Sequence, residues 1–168
     1  MASARYINVN MERSPVGVGI RKVAQWVEYS DFTDNESTGG TLVLTPTIPA
    51  GSFVFGSKVT VVTGFTGGTN TTAVMDIGDG SDADLFSYTT HNIYTAATNL
   101  VEGCDSAAAG NTGTGIAPVA TETSITLTAT VSADWTTISA GKMLVEVFYF
   151  STNVELTEKY PNKHWSSI

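Results

Sequence analysis

Charge is scarce in this sequence. Only 14% of its 168 residues are Asp, Glu, Lys or Arg, against about a quarter in an average soluble protein. Cations are scarcer still: 8 Lys and Arg stand against 16 Asp and Glu, for a net charge of −8. That balance excludes the basic footprint of a nucleic-acid-binding surface, so no nucleic-acid partner is expected. Cysteine is nearly absent. Cys104 stands alone, which rules out an internal disulfide and suits a protein made in a reducing cytoplasm. As a nucleophile it would need a base, and none stands near it in the sequence. Long apolar runs are missing too. Nothing approaches the roughly 18 residues of a membrane span, and no apolar segment follows a basic start, so neither a span nor a signal peptide is expected. Apolar residues at helical spacing are also lacking. The glycines between Ala107 and Gly115 have no following Lys-Ser/Thr and no helix pattern, so they form no phosphate cradle.

What is abundant is Gly, Ser, Thr and Ala, in short stretches broken by turn residues. A chain of this length buries about two-thirds of its unfolded surface and needs no staple. The pattern predicts an all-β fold: an antiparallel β-sandwich, jelly-roll-like, with an extended N-terminal arm and a short C-terminal tail. The expected divisions are an arm over residues 1–20, the sandwich over 21–151 and the tail over 152–168.

The central stretch, Ile48 to Phe86, carries the densest signals. Pro49 and Gly51 make a turn. Phe53 to Phe55 and Val59 to Val62 are β-branched and aromatic, which suits a pleated, half-buried surface. Gly56-Ser57 between them reads as a bulge or bend. Gly67 to Asn70 then reads as a hairpin connection, with Thr72 to Ile77 returning as a period-two strand.

Other strands flank this stretch. Arg21 to Tyr29 is a first strand, with Val23, Gln25, Val27 and Tyr29 on one face and Ala24, Trp26 and Glu28 on the other. Trp26 reads as a core residue. Thr41 to Thr47 is a second strand, and Pro46 marks it as lying at an edge or ending there. Leu85 to Tyr94 holds one or two short strands, and Thr95 to Thr123 is a long loop. Ser124 to Val131 alternates Ile, Leu, Ala and Val with Thr, giving one core face and one threonine ladder. Lys142 to Phe150 is apolar on both faces apart from Glu146, so it belongs in the centre of a sheet, covered on both sides or met by another subunit.

The two ends are the candidate partner contacts. The arm holds Tyr6, Ile7, Val9, Val16 and Val18, and reads as a docked segment or a disordered terminus. The tail holds Tyr160 and Trp165, whose rings suit docking on a surface.

Chemistry-bearing residues are few. Asp76, Asp79, Asp82 and Asp84 sit within nine residues. They read either as a calcium loop, since Ca²⁺ takes clustered hard oxygens, or as a tight turn in which Asp side chains bond their own backbone. The EF-hand pattern is absent. His91 reads as a surface residue, and neither it nor His164 has a triad partner at a telling spacing. No catalytic residue, cofactor or resident metal is therefore assigned, and no enzyme is expected. Paired carboxylates for a hydrolase exist here only as ordinary acidic loops satisfy that requirement. Trp135, Tyr88 and Tyr94, in or near loops, offer an aromatic platform for a sugar.

The segment Thr41 to Phe86 resembles a module of tailed-bacteriophage structural proteins. It runs through an apolar strand, IPAG, a Val-rich strand, GFTGGT and a strand ending in GDGSDADLF. The late strand Gly141 to Val147 belongs to the same likeness, which covers about half of the chain. It implies a β-sandwich or jelly-roll protein of the virion, of the head decoration or cement kind. Such a protein would bind the outer shell as a homo-oligomer, a trimer in the simplest case, and bridge coat subunits on the capsid exterior after assembly in the host cytoplasm. A carbohydrate-binding tail or fibre module is the alternative.

Overall fold

The structure is a computed structural model, described here for residues 6–9, 20–35, 37–87, 89–96, 100–103 and 118–151, with 6–9 and 100–103 described as backbone only. Among the described residues, ten strands form two antiparallel five-stranded sheets. In order these are β1 (Tyr6–Val9), β2 (Ile20–Glu28), β3 (Thr33–Asp34), β4 (Gly39–Ile48), β5 (Ser52–Thr66), β6 (Ala73–Gly78), β7 (His91–Asn92), β8 (Leu100–Gly103), β9 (Thr123–Val131) and β10 (Ala140–Ser151). One sheet runs β1-β2-β10-β5-β8 and the other β3-β4-β9-β6-β7; they are called sheets A and B below.

Setting aside the short β1 and β3, the eight remaining strands have the jelly-roll order. Sheet A holds β2-β10-β5-β8 and sheet B holds β4-β9-β6-β7. β1 pairs with β2 from Tyr6↔Gln25 to Val9↔Lys22, so part of the 1–20 stretch is an edge strand of sheet A.

The expected strands are present, with one change in how they connect. β5 and β6 do not form a hairpin. β5 lies in sheet A, and β6 in sheet B. A hairpin needs only two to five residues, whereas residues 67–72 are long enough to cross the roughly 10 Å between packed sheets. Asn70 fixes this crossing. Its buried amide donates to Gly67 O (3.1 Å), Asp134 O (2.9 Å) and Thr137 Oγ1 (2.9 Å), and its Oδ1 accepts from Ala133 N at 2.8 Å. Residues 132–139 are the matching crossing from β9 to β10, so one side chain ties the two crossings together.

The bulge falls where Gly56 predicts it. Tyr149 pairs with Val54 and Phe148 with Gly56, leaving Phe55 as the extra residue. An extra residue switches which positions face the core. Val54 faces inward before it, and Ser57, Val59 and Val61 face inward after it. A regular strand would have turned one of these sets to solvent.

The core lies between the sheets. β9 and β10 are central in their sheets and contribute Ile125, Leu127, Ala129, Met143, Val145 and Val147, all fully buried. An aromatic knot closes one end: Phe32, Phe65 and Trp135 meet with ring centroids 5.0–6.4 Å apart. Gly40 lies under Trp135, where a Cβ would come within 2.5 Å of the indole. At the β2/β4 edge, Thr45 N donates to Gln25 Oε1 at 2.9 Å and links the two sheets. Pro46 falls where the β4–β9 register breaks, between Val43 and Thr47, on a stretch of β4 that has no second partner strand.

Candidate functional site

The acidic stretch folds as a turn. Asp79 Oδ1 accepts from Ser81 N and Asp82 N, both at 2.8 Å, and Asp79 N donates to Asp82 O at 3.1 Å. Phe86 and Ser87 anchor its far side: Phe86 N donates to Ile77 O at 2.8 Å, and Ser87 Oγ accepts from Ile77 N at 3.1 Å. Asp76 stands apart on β6. Burial pushes its carboxyl up, a hydrogen bond with Thr90 opposes this, and Asp84 adds a smaller upward push. Asp82 is also raised, first by sharing a hydrogen bond with Asp84 and then by burial. Among the described residues, no three His, Cys, Asp or Glu side chains come together as a metal site.

His91 is not on the surface. It is 1% exposed, because β7 pairs with β6 opposite Met75, and this row points into the sandwich. Its Nε2 lies 3.5 Å from Ser57 Oγ. The contact brings a hydroxyl to an imidazole, but Ser57 is fully buried, so a substrate would have to enter the core to reach it.

The tryptophans exchange their expected places. Trp135 is core, 4% exposed, and offers no platform to a sugar. Trp26 is half-buried on the outside of sheet A, with the Lys142 ammonium 5.7 Å from its ring centroid. Alternation decides this: Val27 faces the core, so its neighbour faces out. Tyr94 is half-buried, and its hydroxyl donates to Asn70 O at 3.2 Å. Tyr88, Cys104, His164 and the candidate contacts Val16, Val18, Tyr160 and Trp165 lie outside the described residues. Tyr6, Ile7 and Val9 are in β1, described by its backbone alone.

Comparison with known proteins gives one finding of note. A chain of the Cyanophage Pam1 capsid asymmetric unit shares the fold. The TM-score is 0.53 and the identity 19%, over 90% of this chain and 97% of that one. No protein-family model and no curated protein matches the sequence. The likeness is one of fold, and it runs nearly end to end in both chains.

The side of this fold that stands out chemically is the outer face of sheet A. Phe53 and Phe150 stack at 5.0 Å with their planes 11° apart. Phe55 lies 6.1 Å from Phe148 and 6.3 Å from Phe150. Phe53 and Phe55 share a face by strand alternation, and the bulge makes that face the outer one while Ser57, Val59 and Val61 still point inward. Beyond the cluster, Ile20 is 60% exposed opposite Phe150. Farther along, Glu146 lies between two lysines, at 2.5 Å from Lys22 Nζ and 3.4 Å from Lys58 Nζ. Lys142 pairs with Glu28 at 3.2 Å. The outer face of sheet B differs: its central row is Thr126, Thr128 and Thr130, flanked by Thr41, Val43, Val74 and Asp76. Sequence reading found the apolar outer row of β10. It missed that β5 adds two phenylalanines to it, because pairing across sheet A is not written in either segment alone. Among the described residues no helix is long and apolar enough to cross a membrane.

Proposed function

We propose that this chain is a non-enzymatic structural protein of a phage virion, of the capsid decoration or cement kind. It binds the outer shell as a homo-oligomer, a trimer in the simplest case, and stabilises the shell by bridging neighbouring coat subunits. The observation that carries the reading is the nearly end-to-end fold likeness to a chain of a phage capsid asymmetric unit. The resemblance of the Thr41–Phe86 stretch to virion proteins supports it independently of that likeness. So does the burial of the Ser–His contact, which keeps a nucleophile–base pair away from any substrate.

In this reading the protein sits on the capsid exterior after assembly in the host cytoplasm. It uses no cofactor, and contacts neither nucleic acid nor membrane. The arm residues Tyr6, Ile7, Val9, Val16 and Val18 and the tail residues Tyr160 and Trp165 contribute partner contacts.

The test is co-sedimentation of the purified chain with shells assembled without it, followed by thermal melting of the shells. Saturable binding with a raised shell melting temperature is expected. Failure to bind, together with binding to a glycan array, would replace this reading with the tail or fibre one. Light scattering gives the oligomer mass, and repeating it with calcium tests Asp76, Asp79, Asp82 and Asp84 as a metal loop.

A further inference from the structure

The charges of this acidic protein are sorted by sheet. Among the described residues, Lys22 on β2, Lys58 on β5 and Lys142 on β10 stand on the outer face of sheet A, whereas Arg21 lies in the row of Val23 and Val27 and bonds Tyr149 instead. Only Glu28 and Glu146 accompany them among the side chains described on that sheet, Glu102 of β8 being described as backbone only. The other eight described carboxylates lie on sheet B and the connections, with no described cation among them. A protein with this net charge is repelled from an acidic surface unless it approaches by a face where cations outnumber carboxylates, and among the described residues the outer face of sheet A is such a face, with three lysines against Glu28 and Glu146. That side also carries the phenylalanine cluster and the exposed Ile20. β2 begins at Ile20 and β10 ends at Ser151, with Ile20 opposite Phe150. The segments that precede and follow the sandwich therefore both join it at the aromatic corner.

We infer that the outer face of sheet A is the docking face, and that its partner is an acidic protein surface with apolar side chains for the Phe53–Phe150 corner. The inference deepens the virion reading and rests on it. Lys22 and Lys58 hold Glu146 between them, so the pair of lysines keeps one positive charge in excess for the partner. The phenylalanines supply the apolar centre of the contact, and the lysines its charged flank. The acidic side of the sandwich points away, and charge thereby selects one of two orientations.

The experiment compares the full-length chain with three variants for binding to shells that lack it, from low to high salt. Ile20→Asp alters the exposed edge of the apolar corner, Lys58→Gln removes one excess charge, and Thr130→Asp is the control on the exposed threonine row of sheet B. Ile20→Asp is expected to weaken binding about tenfold or more. Lys58→Gln is expected to weaken it several-fold at low salt, with the deficit shrinking as salt screens the charge. Thr130→Asp is expected to bind as wild type. Thermal melts monitor folding. Equal binding by all four chains overturns the inference, as does a loss confined to Thr130→Asp. Should Ile20→Asp unfold, the Lys58→Gln salt dependence decides, and a slope equal to wild type overturns it. An oligomer that Ile20→Asp splits into protomers that still bind shells makes this a contact between copies, and overturns the assigned partner. A wild-type chain that never binds shells is a separate result, which overturns the functional reading itself.

Discussion

Replacing Asn70 tests how the two crossings between sheets hold together. Its amide protons are shared among three acceptors, Gly67 O, Asp134 O and Thr137 Oγ1, and its Oδ1 takes the Ala133 N–H. The side chain is 5% exposed, so water replaces these partners poorly. In Asn70→Ala the Ala133 N–H loses this acceptor. Three or four hydrogen bonds at about 1 kcal/mol net each, plus a stranded donor, give a loss of about 3–5 kcal/mol. That is about a fifth or more of the roughly 5–15 kcal/mol that stabilises an ordinary domain. Urea unfolding measures it as a lower midpoint at unchanged slope. Asn70→Asp sharpens the test. It keeps an acceptor for Ala133 N but turns a second oxygen toward two carbonyl oxygens. The folded protein then favours the protonated acid, so the new carboxyl titrates higher in the folded state than in the unfolded one. Between those two values the native state binds more protons, and stability falls as pH rises. The deficit of Asn70→Asp against wild type is therefore largest at neutral pH and shrinks on acidification. A loss below about 1 kcal/mol for Asn70→Ala, set against the full estimate, would refute the clamp. So would a pH-independent deficit for Asn70→Asp.

Other positions give simpler outcomes. Gly40→Ala places a methyl 2.5 Å from the Trp135 ring. It should cost about 1–3 kcal/mol or more through overpacking, read by denaturation and by a change in Trp fluorescence; a neutral effect would mean that the indole moves freely. Ser52 is fully buried, and among the described residues its hydroxyl has no hydrogen-bond partner. Ser52→Ala should therefore raise stability by up to about 1 kcal/mol, and a lower urea midpoint would contradict this. Asp76 has a raised carboxyl pKa, chiefly from burial. Its folded value lies above its unfolded one, so its charge lowers stability once pH climbs through the folded value. Asp76→Asn should raise the melting temperature at neutral pH and lose that advantage in acid; an unchanged difference across pH would argue against burial as the cause.

The strands were legible where one segment carried its own period. Ser124 to Val131 alternates without a break, and the observed β9 extends it by a single residue, to Thr123. Pro46 marked the unpartnered stretch of β4, and Gly56 marked the bulge. What failed was pairing. Gly67 to Asn70 has hairpin chemistry, yet the chain crosses to the other sheet. The deciding partners, Ala133, Asp134 and Thr137, lie more than 60 residues away. His91 looked exposed because its neighbours are polar, but in a two-residue strand the pairing sets the inward side and the neighbours do not. Trp26 and Trp135 show the same limit. Strand parity turned Trp26 outward, whereas no strand pattern covers the short turn at Trp135–Thr137 that buries the other ring. β8, within the long loop, had too weak a pattern to read.

The two outer faces separate what the fold demands from what it does not. A jelly roll is specified by its inner rows, and either outer row is free to be polar. Sheet B takes that freedom, with threonines along the middle of its outer face. Sheet A does not: four phenylalanines and a tryptophan stand there, none of them fully buried. A phenylalanine contributes about 1.5–3 kcal/mol when buried completely, so a half-buried one on an outer face leaves part of that unrealised. The bulge at Phe55 brings the core rows of β5 into line and so turns Phe53 and Phe55, which alternation places on one face, to the outside. With Glu146 held between two lysines on the same face, the apolar corner and the cationic strip form one surface. The packing of the described sandwich gives that surface little reason to exist, and a partner laid on it would supply one.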